Sequence, residues 1–483
     1  MNELPLVGAG HVLLGLLLSF DVLLHKERPV SAVLWLAVLW AVPYVGALAY
    51  VTFGIDQVRR GGREREAARA LLARRAALHP GFERLAVNLA RDGELHPAAH
   101  IFEVTDPAVR PNRVLRGNRV ELLVDGDEFY PKLFRAIRDA SESIHLQTYI
   151  FARRGIGRAL RDLLAERAAA GLEVRLLYDR FGSTAAHFSR FFEPIRRAGG
   201  QTHSISQAHP LKGRFQINLR NHRKLAVLDG RIAFVGGINI DDRNLSGARR
   251  GPPDRDYHLK LCGPAVRDLQ FQFIEDWHFA SGCPPDRLLG SSYFPALEPA
   301  GEGLAQIVPG GPECEGRGLA DAFFGSIVAA RESVTILTPY FVPDEPILHA
   351  LRYAAIRGVR VRIVVPAKNN HWYTGYAARA LYSPLLEAGV RIFERDPPFM
   401  HAKALVADGV YSMLGSANLD YRSLHLNFEL NVEVAEPRFL AVLREQVERE
   451  LAVSREVALH AHRRRPLLRR LTENACLLFQ PVL

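Results

Sequence analysis

The sequence is poor in cysteine and methionine, and this scarcity excludes some classes of protein. Its 483 residues include four cysteines and three methionines. Cys262, Cys283, Cys314 and Cys476 form neither the close pairs of a zinc site nor the density of a secreted disulfide scaffold. We therefore expect reduced cysteines that pack in the interior.

Charge is absent from one long segment, residues 29–54. At a rise of about 1.5 Å per residue, such a helix could cross a hydrocarbon core of about 30 Å. The apolar run at residues 4–24 is a weaker candidate because it contains His11 and Asp21. A cleaved signal peptide is the alternative for this run, but it lacks a basic segment ahead of it and a clear cleavage site. We predict a transmembrane helical hairpin as an anchor in residues 1–56.

Positive charge is concentrated in two places, although the formal net charge is only +10. Arginines are dense at residues 59–75, directly after the apolar run, and at residues 463–470. Such clusters suit nucleic acid or anionic lipid, and the apolar neighbour favours lipid. We predict a basic juxtamembrane linker at residues 57–115 and a basic amphipathic C-terminal segment at residues 461–483, with a solvated tail as the alternative for the latter. The positive-inside rule places the body in the cytoplasm, although two basic residues between the spans weaken this prediction.

An internal repeat dominates the remaining sequence. The first copy reads IHLQTYI, LEVRLLYD and HRKLAVLDGRIAFVGG, and the second reads VTILTPYF, VRVRIVVP and HAKALVADGVYSMLGS, with helical stretches between them. Short β-branched runs that alternate with helical ones indicate a sheet with helices on its faces. We predict an α/β fold with two similar α/β/α lobes at residues 116–290 and 291–460, and a loop over the site at residues 201–220.

Two matching sets of polar residues recur within this repeat. The intervals are identical in the two copies: His222, Lys224, Asp229 and Asn239 in the first, and His401, Lys403, Asp408 and Asn418 in the second. Because alternate residues of an extended strand face the same side, each histidine and lysine can point together into a cleft. We expect the two sets to face each other across the lobe interface.

This residue set fits the cleavage of a phosphodiester. One imidazole can attack phosphorus to give a covalent intermediate, while the other protonates the departing oxygen. Lysine and asparagine side chains can stabilise the non-bridging oxygens as charge develops. We expect no cofactor and no metal, because two neighbouring ammonium groups would repel a divalent cation.

Acidic residues follow both motifs. Asp256 and Glu429 lie on short strand-like segments and are candidates to fix the histidine tautomers. Asp229 and Asp408 belong to the motifs and are included among the predicted catalytic residues, yet their place before a glycine is more typical of a carboxylate that fixes a turn.

The doubled pattern HxKxxxxDxxxxxxG(G/S)xN resembles that of the phospholipase D superfamily. Together with RPVSAVLW, TPYFVPDEPIL and GSANLDYRSLHLNFELN, it makes the whole chain similar to bacterial cardiolipin synthases. VPGGPE and the DDRNL that follows Asn239 depart from the usual family sequences.

The resemblance implies that one phosphatidylglycerol gives its phosphatidyl group to the enzyme and a second accepts it, with anionic membrane lipids as partners and a multi-pass location in the bacterial inner membrane. It further implies that His222 is the nucleophile and that His401 is the acid and then the base. Asp256 and Glu429, which follow their respective motifs, would orient His222 and His401.

Other functions remain open from the sequence. A hydrolytic phospholipase D would use water in place of the lipid hydroxyl. A nuclease could use the same site, but the anchor argues against a nucleic-acid partner. An inactive scaffold is disfavoured because none of the eight repeated polar positions is substituted.

Overall fold

The computed structural model describes residues 4–26, 29–42, 44–51, 96–109, 112–205, 220–248, 251–284, 287–290, 292–312 and 318–482. The chain divides into two compact units, Met1–Gly61 and Gly62–Leu483. Three features discussed above lie outside the described residues: the arginine-rich segment at 59–75, most of the predicted loop at 206–219, and Cys314.

The first unit contains helices α1 (Leu4–His25), α2 (Pro29–Ala41) and α3 (Val45–Ala49). They pack through an apolar cluster that includes Val22 and Leu39. The hydroxyl of Tyr50 donates a 2.7 Å hydrogen bond to Asp21, so this carboxylate has a partner from the opposite arm of the hairpin. The predicted second span is divided into α2 and α3 and is not one continuous helix. Within the described residues, no helix has the length and apolar character needed to cross a membrane.

The second unit is built on strands from both copies of the repeat. The first copy contributes β1 (Leu115–Val124), β2 (Ser143–Thr148), β3 (Glu173–Asp179), β4 (Gln201–Ile205), β5 (Leu225–Leu228), β6 (Ile232–Gly236) and β7 (Tyr257–Cys262). The second contributes β8 (Gly303–Gly310), β9 (Ser333–Leu337), β10 (Phe341–Val342), β11 (Arg360–Pro366), β12 (Arg391–Arg395), β13 (Ala404–Ala407), β14 (Tyr411–Gly415), β15 (Leu419–Asp420), β16 (Glu429–Ala435) and β17 (Ser454–Glu456).

Strand order shows the duplication directly. Among the described residues, one sheet runs β17-β12-β11-β9-β13-β14-β16-β8-β1-β7-β6-β5-β2-β3-β4, and β10 pairs with β15 separately. Outward from the central β1–β8 pair, β7-β6-β5-β2-β3-β4 on one side matches β16-β14-β13-β9-β11-β12 on the other. The predicted lobes are thus two halves of one continuous sheet.

Helices cover both faces of this sheet, and alternation along the strands explains why. Leu225 and Val227 of β5 enter one core, whereas Ala226 and Leu228 enter another. The helices are α4 (Ala99–Thr105), α5 (Asp125–Asp139), α6 (Gly155–Ala169), α7 (Thr184–Phe188), α8 (Glu193–Arg197), α9 (Val266–Ser281), α10 (Leu319–Ala329), α11 (Glu345–Ile356), α12 (Trp372–Ala380), α13 (Tyr382–Glu387), α14 (Tyr421–His425), α15 (Pro437–Ala452), α16 (Leu459–Arg463) and α17 (Leu467–Leu477).

One core is common to both halves, because α9 and α15 pack over the strands of the two copies on the same face. On the other face, α5 and α6 cover the first half, and α10 and α11 cover the second. This gives the predicted α/β/α layering.

Two segments differ from the sequence predictions. Residues 96–109 were expected to be linker, but Ile101 and Phe102 are fully buried in the core of the second half. Residues 201–205 were expected to be loop, but they form the edge strand β4 beside β3. In both cases tertiary contacts override a weak local pattern.

Candidate active site

The two halves position each other's histidines through the backbone. The His222 N–H donates a 2.9 Å hydrogen bond to the carbonyl of Phe428, and the His401 N–H donates a 2.7 Å bond to the carbonyl of Arg255. Each motif histidine is thereby fixed by a segment of the opposite half. The site is assembled at the lobe interface, and it depends on both copies at once.

The carboxylates that contact the histidines are also exchanged between the halves. Nδ1 of His222 lies 3.0 Å from Glu429 Oε2, and Nδ1 of His401 lies 2.7 Å from Asp256 Oδ2. Sequence order suggests that each carboxylate serves the motif it follows, whereas the geometry shows the reverse. Because Nδ1 is engaged, Nε2 of each ring remains available for chemistry.

The two carboxylates are fully buried, and each has further hydrogen-bond donors. Ser416 Oγ donates to Glu429 at 2.6 Å, and the Tyr257 N–H donates to Asp256 at 2.8 Å. Burial alone would raise the pKa of Glu429, but its electrostatic interaction and hydrogen bond with His222, and the charge of Lys224, lower this pKa overall. Glu429 is therefore held as an anion that can stabilise an imidazolium.

Both motif lysines are buried beside the histidines. Lys224 Nζ donates a 2.6 Å hydrogen bond to the carbonyl of His222, and Lys403 Nζ donates to the carbonyl of His401. Burial lowers the pKa of Lys224 to about 7 and that of Lys403 to about 8, and the charge of Lys403 further lowers the Lys224 pKa. A bound phosphate would add to the counter-charge of Glu429 and Asp256 and favour both ammonium forms.

Burial also lowers the pKa of both histidines. The pKa of His222 lies below its usual range, and that of His401 falls to about 4 because of burial and then of the Lys403 charge. Without a bound anion both imidazoles are therefore neutral near pH 7. The neutral form is the one that a nucleophile requires, whereas an acid must first gain a proton.

A cavity of about 430 Å³ contains both histidines and both motif asparagines in its lining. Asn239 Oδ1 accepts a 3.1 Å hydrogen bond from the Ile150 N–H. Asn418 Nδ2 donates to Ser423 Oγ at 3.3 Å, and its buried Oδ1 has no hydrogen-bond partner among the described residues. The cavity can therefore present two imidazoles and two amides to one phosphate.

Asp229 and Asp408, which the sequence predicts as catalytic residues, contact backbone groups at strand ends and do not line the cavity. Asp229 accepts hydrogen bonds of 2.8 Å from the backbone N–H groups of Ser141, Glu142 and Ser143, at the start of β2. Asp408 accepts the corresponding bonds at the start of β9, from residues 331–333. Both follow the short strands β5 and β13, at the end away from the histidines. They fix turns and strand ends.

Gly237 makes room for one of the orienting carboxylates. A Cβ at this position would lie 2.1 Å from Asp256 Oδ1. Only glycine therefore lets Asp256 approach the backbone here and still reach His401.

Sequence reasoning missed several residues of the site. The Tyr149 ring meets His222 edge-on with centroids 4.9 Å apart. Arg220 and Arg422 also line the cavity. Their places in the sequence could have indicated this position, because Arg220 lies two residues before His222 and Arg422 lies in the quoted DYRSL stretch.

Arg223 is another residue that the motif pattern did not single out. It is buried and bridges the halves by donating to the carbonyls of Glu429 (2.9 Å) and Gly310 (3.0 Å) and to Asp276 (2.6 Å).

Comparison with protein families supports the duplicated architecture. A family described as cardiolipin synthase, PLD-like domain, matches residues 133–250 and 324–451. A second family, described as phospholipase D-nuclease N-terminal, matches residues 13–54.

Curated relatives align over most of the chain. A cardiolipin synthase of Geobacillus thermodenitrificans is 36% identical over 422 residues, covering 86% of this chain and 81% of that protein. Cardiolipin synthase A of Pseudomonas aeruginosa is 36% identical over 490 residues, covering 99% and 96%. The crystal structure of a phosphatidylserine synthase of Haemophilus influenzae shares the fold, with a TM-score of 0.58, 16% identity and coverage of 75% of this chain and 95% of that one. The family match and the extent of these alignments agree: this chain belongs to the cardiolipin synthase family of phospholipase D-like enzymes and is a phosphatidyltransferase.

Proposed function

We propose that this enzyme makes cardiolipin from two molecules of phosphatidylglycerol and releases glycerol, through a phosphatidyl-histidine intermediate. The observation that carries the proposal is the shared cavity in which His222 and His401 meet, each oriented by a buried carboxylate of the opposite half. Two oriented imidazoles at one phosphorus suffice for a two-step displacement.

In the first step, Nε2 of His222 attacks the phosphorus of the donor lipid. The P–N bond forms as the bond from phosphorus to the glycerol oxygen breaks, and His401 gives its proton to that oxygen. The bound phosphate favours the protonated form of His401 that this step needs, because a nearby anion raises an imidazole pKa. Lys224 and Lys403, with Asn239 and Asn418, stabilise the non-bridging oxygens.

In the second step, His401 acts as a base. It takes the proton from a terminal hydroxyl of the second phosphatidylglycerol, whose oxygen attacks phosphorus while the P–N bond breaks. Cardiolipin leaves, His222 returns to its neutral form, and His401 again holds a proton. Glu429 stabilises the charge that His222 carries in the intermediate, because it lies against Nδ1.

Product analysis tests this proposal. Purified enzyme in phosphatidylglycerol vesicles, without added metal, should release one glycerol for each cardiolipin formed. Phosphatidic acid as the main product would contradict the synthase reaction and indicate the hydrolytic alternative.

Trapping of the intermediate tests the roles of the two histidines. After brief exposure to phosphatidylglycerol labelled in the phosphate, the label should be recovered on His222. With a phosphatidyl ester of a good leaving group such as nitrophenol, His401→Ala should still accumulate labelled protein, because that departure needs no acid. His222→Ala should not. Label on His401 in the wild type would reverse the assignment.

An anionic lipid surface is the partner that we propose for the C-terminal segment. Helix α17 docks on α12 through Cys476, while Leu467, Leu468, Leu471, Leu478 and Phe479 remain exposed. Arg469 and Arg470 lie on the same helix. Helix α12 also contributes Tyr373 and Thr374 to the cavity, so this apolar surface lies close to the route by which a lipid would enter.

We also propose that the N-terminal unit, which contains helices α1 to α3, anchors the protein in the bacterial inner membrane, with the body in the cytoplasm. The family match at residues 13–54 and the arginine-rich sequence that follows support this topology. The full chain should remain with membranes after alkaline extraction. Protease should cut the body in inverted vesicles but not in intact spheroplasts, and the opposite pattern would contradict the orientation.

A further inference from the structure

Two arginines from opposite halves line the cavity beside His222. Arg220 precedes the first motif, and Arg422 lies in α14 of the second half. The Arg220 guanidinium carbon lies 3.9 Å from the centroid of the Phe181 ring. Both side chains line the same cavity, and burial and then the charge of Arg220 lower the pKa of Arg422. Such a like-charge pair in a cavity favours an anion between its members.

Two carboxylates, Asp179 and Asp420, lie near the arginines and also contact the backbone. Asp179 accepts hydrogen bonds from the N–H groups of Phe181 (2.8 Å), Gly182 (3.0 Å) and Asn221 (2.9 Å). Asp420 accepts a 2.7 Å bond from the Ser423 N–H. Asp179 also interacts electrostatically with Arg220, and Asp420 with Arg422, so the arginine charges are partly balanced before a ligand binds.

Tyr149 contacts His222 and interacts electrostatically with both arginines. Its ring meets His222, and burial raises its pKa to about 12 while the charges of Arg220 and Arg422 oppose that rise. Both arginines line the cavity together with Tyr149 and His222, and Arg220 is two residues before His222 in the chain. The lysines occupy a different place, hydrogen-bonded to the histidine carbonyls. The arginines therefore line the cavity itself, whereas the lysines are buried behind its wall.

The proposed reaction requires places for two phosphates during the second step. One is the phosphorus attached to His222, and the other is the phosphodiester that the acceptor phosphatidylglycerol already carries. We propose that Arg220 and Arg422 form a second phosphodiester subsite, which holds the phosphate of the acceptor lipid one glycerol away from the phosphorus under attack. This inference rests on the proposed function and specifies how the acceptor is recognised.

The subsite would select a phosphate-bearing acceptor over water or a neutral alcohol. Water and free glycerol carry no phosphate, so they gain nothing from the arginines, whereas phosphatidylglycerol gains charge-assisted hydrogen bonds that place its hydroxyl. Removing one arginine should therefore weaken transfer to lipid more than transfer to a small neutral alcohol.

The experiment compares two reactions of the same intermediate. The first is cardiolipin formation, and the second is exchange of labelled glycerol into phosphatidylglycerol, which reverses the first step and needs no second phosphate. Arg422→Gln and Arg220→Gln should each lower the ratio of cardiolipin formation to exchange by about tenfold or more, with a raised KM for acceptor lipid. Arg422→Lys should restore part of the ratio, because it keeps the charge but loses the planar fork.

Controls separate the possible outcomes. Arg197→Gln removes a positive charge from an exposed helix position and should leave both reactions unchanged. Equal losses of the two reactions in both glutamine variants, or an unchanged ratio, would overturn the subsite. Absence of both cardiolipin formation and exchange in the wild type would instead refute the proposed function.

Inorganic phosphate serves as a separate arm, since it carries the same chemistry as the headgroup. In the wild type it should compete with acceptor lipid, and this competition should weaken in Arg422→Gln. Phosphate could instead stabilise the wild type against unfolding but not Arg422→Gln, while the substitution leaves the ratio of the two reactions unchanged. The pair would then bind free phosphate, and the assignment to the acceptor headgroup would be overturned.

Discussion

At the scale of single residues, the site depends on exchange between the halves. Glu429 contacts His222, and Asp256 contacts His401, although each carboxylate follows the other histidine's motif in the sequence. The two histidines have the same place in their sequence motifs, but their carboxylate neighbours differ. This arrangement allows the roles of the carboxylates to be separated by experiment.

We predict that Glu429→Gln and Asp256→Asn impair different steps. Each should lower kcat for cardiolipin formation by about 10²–10⁴-fold, because the imidazole loses its tautomer control and its counter-charge. With a good leaving group, Asp256→Asn should form the phosphatidyl-histidine intermediate at nearly the wild-type rate, since only the acid is affected. Glu429→Gln should form it slowly. Rapid quenching of the labelled intermediate measures both rates.

Ser416→Ala provides a milder control, because it removes one donor to Glu429 and leaves the carboxylate in place. If Asp256→Asn, and not Glu429→Gln, slowed formation of the intermediate, pairing within each half would hold in solution.

The lowered pKa values of the lysines predict the pH dependence of kcat/KM. Lys224, with a pKa of about 7, and Lys403, with a pKa of about 8, are cationic below those values and lose charge above them. The efficiency of the free enzyme should therefore fall steeply as the pH rises through this range, in addition to the gradual fall that loss of the His401 proton causes above its pKa of about 4. It should also fall on the acid side, where His222 becomes protonated. In kcat the alkaline limb should lie at higher pH, since bound phosphate favours the ammonium forms. A kcat/KM that stays constant well above neutral pH would contradict this account.

At the scale of secondary-structure elements, the repeat predicted much of the fold. The runs from Ile144, Leu172 and Val359 are strands, and the helical stretches at 155–170 and 345–357 are helices. These segments have clear periodicity, so local pattern and tertiary structure agree. The exchange of carboxylates could not be read from the repeat, because it depends on how two loops cross the lobe interface, and neither copy specifies that alone.

The motif aspartates illustrate a role at this scale. We predict that Asp229→Asn lowers stability by about 1–3 kcal/mol, because three backbone N–H groups lose an ionised acceptor. The folded enzyme should keep its kcat within a few-fold, since the carboxylate does not line the cavity. Denaturant unfolding and steady-state rates measure the two effects.

The pH dependence of that loss provides a check. Burial alone would raise the pKa of Asp229, but its backbone hydrogen bonds lower it overall. The stabilisation is therefore present above the unfolded pKa and is lost as the pH falls through the folded one. The difference between variant and wild type should shrink in acid. A large fall in kcat without a loss of stability would return Asp229 to a catalytic role.

At the scale of the whole body, β1 and β8 join the halves into one sheet. Their antiparallel pairing includes an irregularity between Leu115 and Asn118, and α9 and α15 share one core over both halves. The histidines are therefore brought together within one chain by extensive packing, not by a mobile contact between independent domains. Residues 62–483 form one compact unit, and the internal repeat relates its two halves by pseudo-symmetry.

This unity predicts the result of mixing two inactive chains. Full-length His222→Ala and His401→Ala proteins, coexpressed in equal amounts, should give no cardiolipin, because every cavity still contains one alanine. A mixture of His222→Ala with wild type should retain activity in proportion to the wild-type share, which controls for expression and for passive association. Recovery to about a quarter or more of wild-type activity would mean that halves from two chains combine into a working site. In that case the contacts of His222 with Glu429 and of His401 with Asp256 would form between chains, and the single-chain assembly derived from the continuous sheet would be wrong.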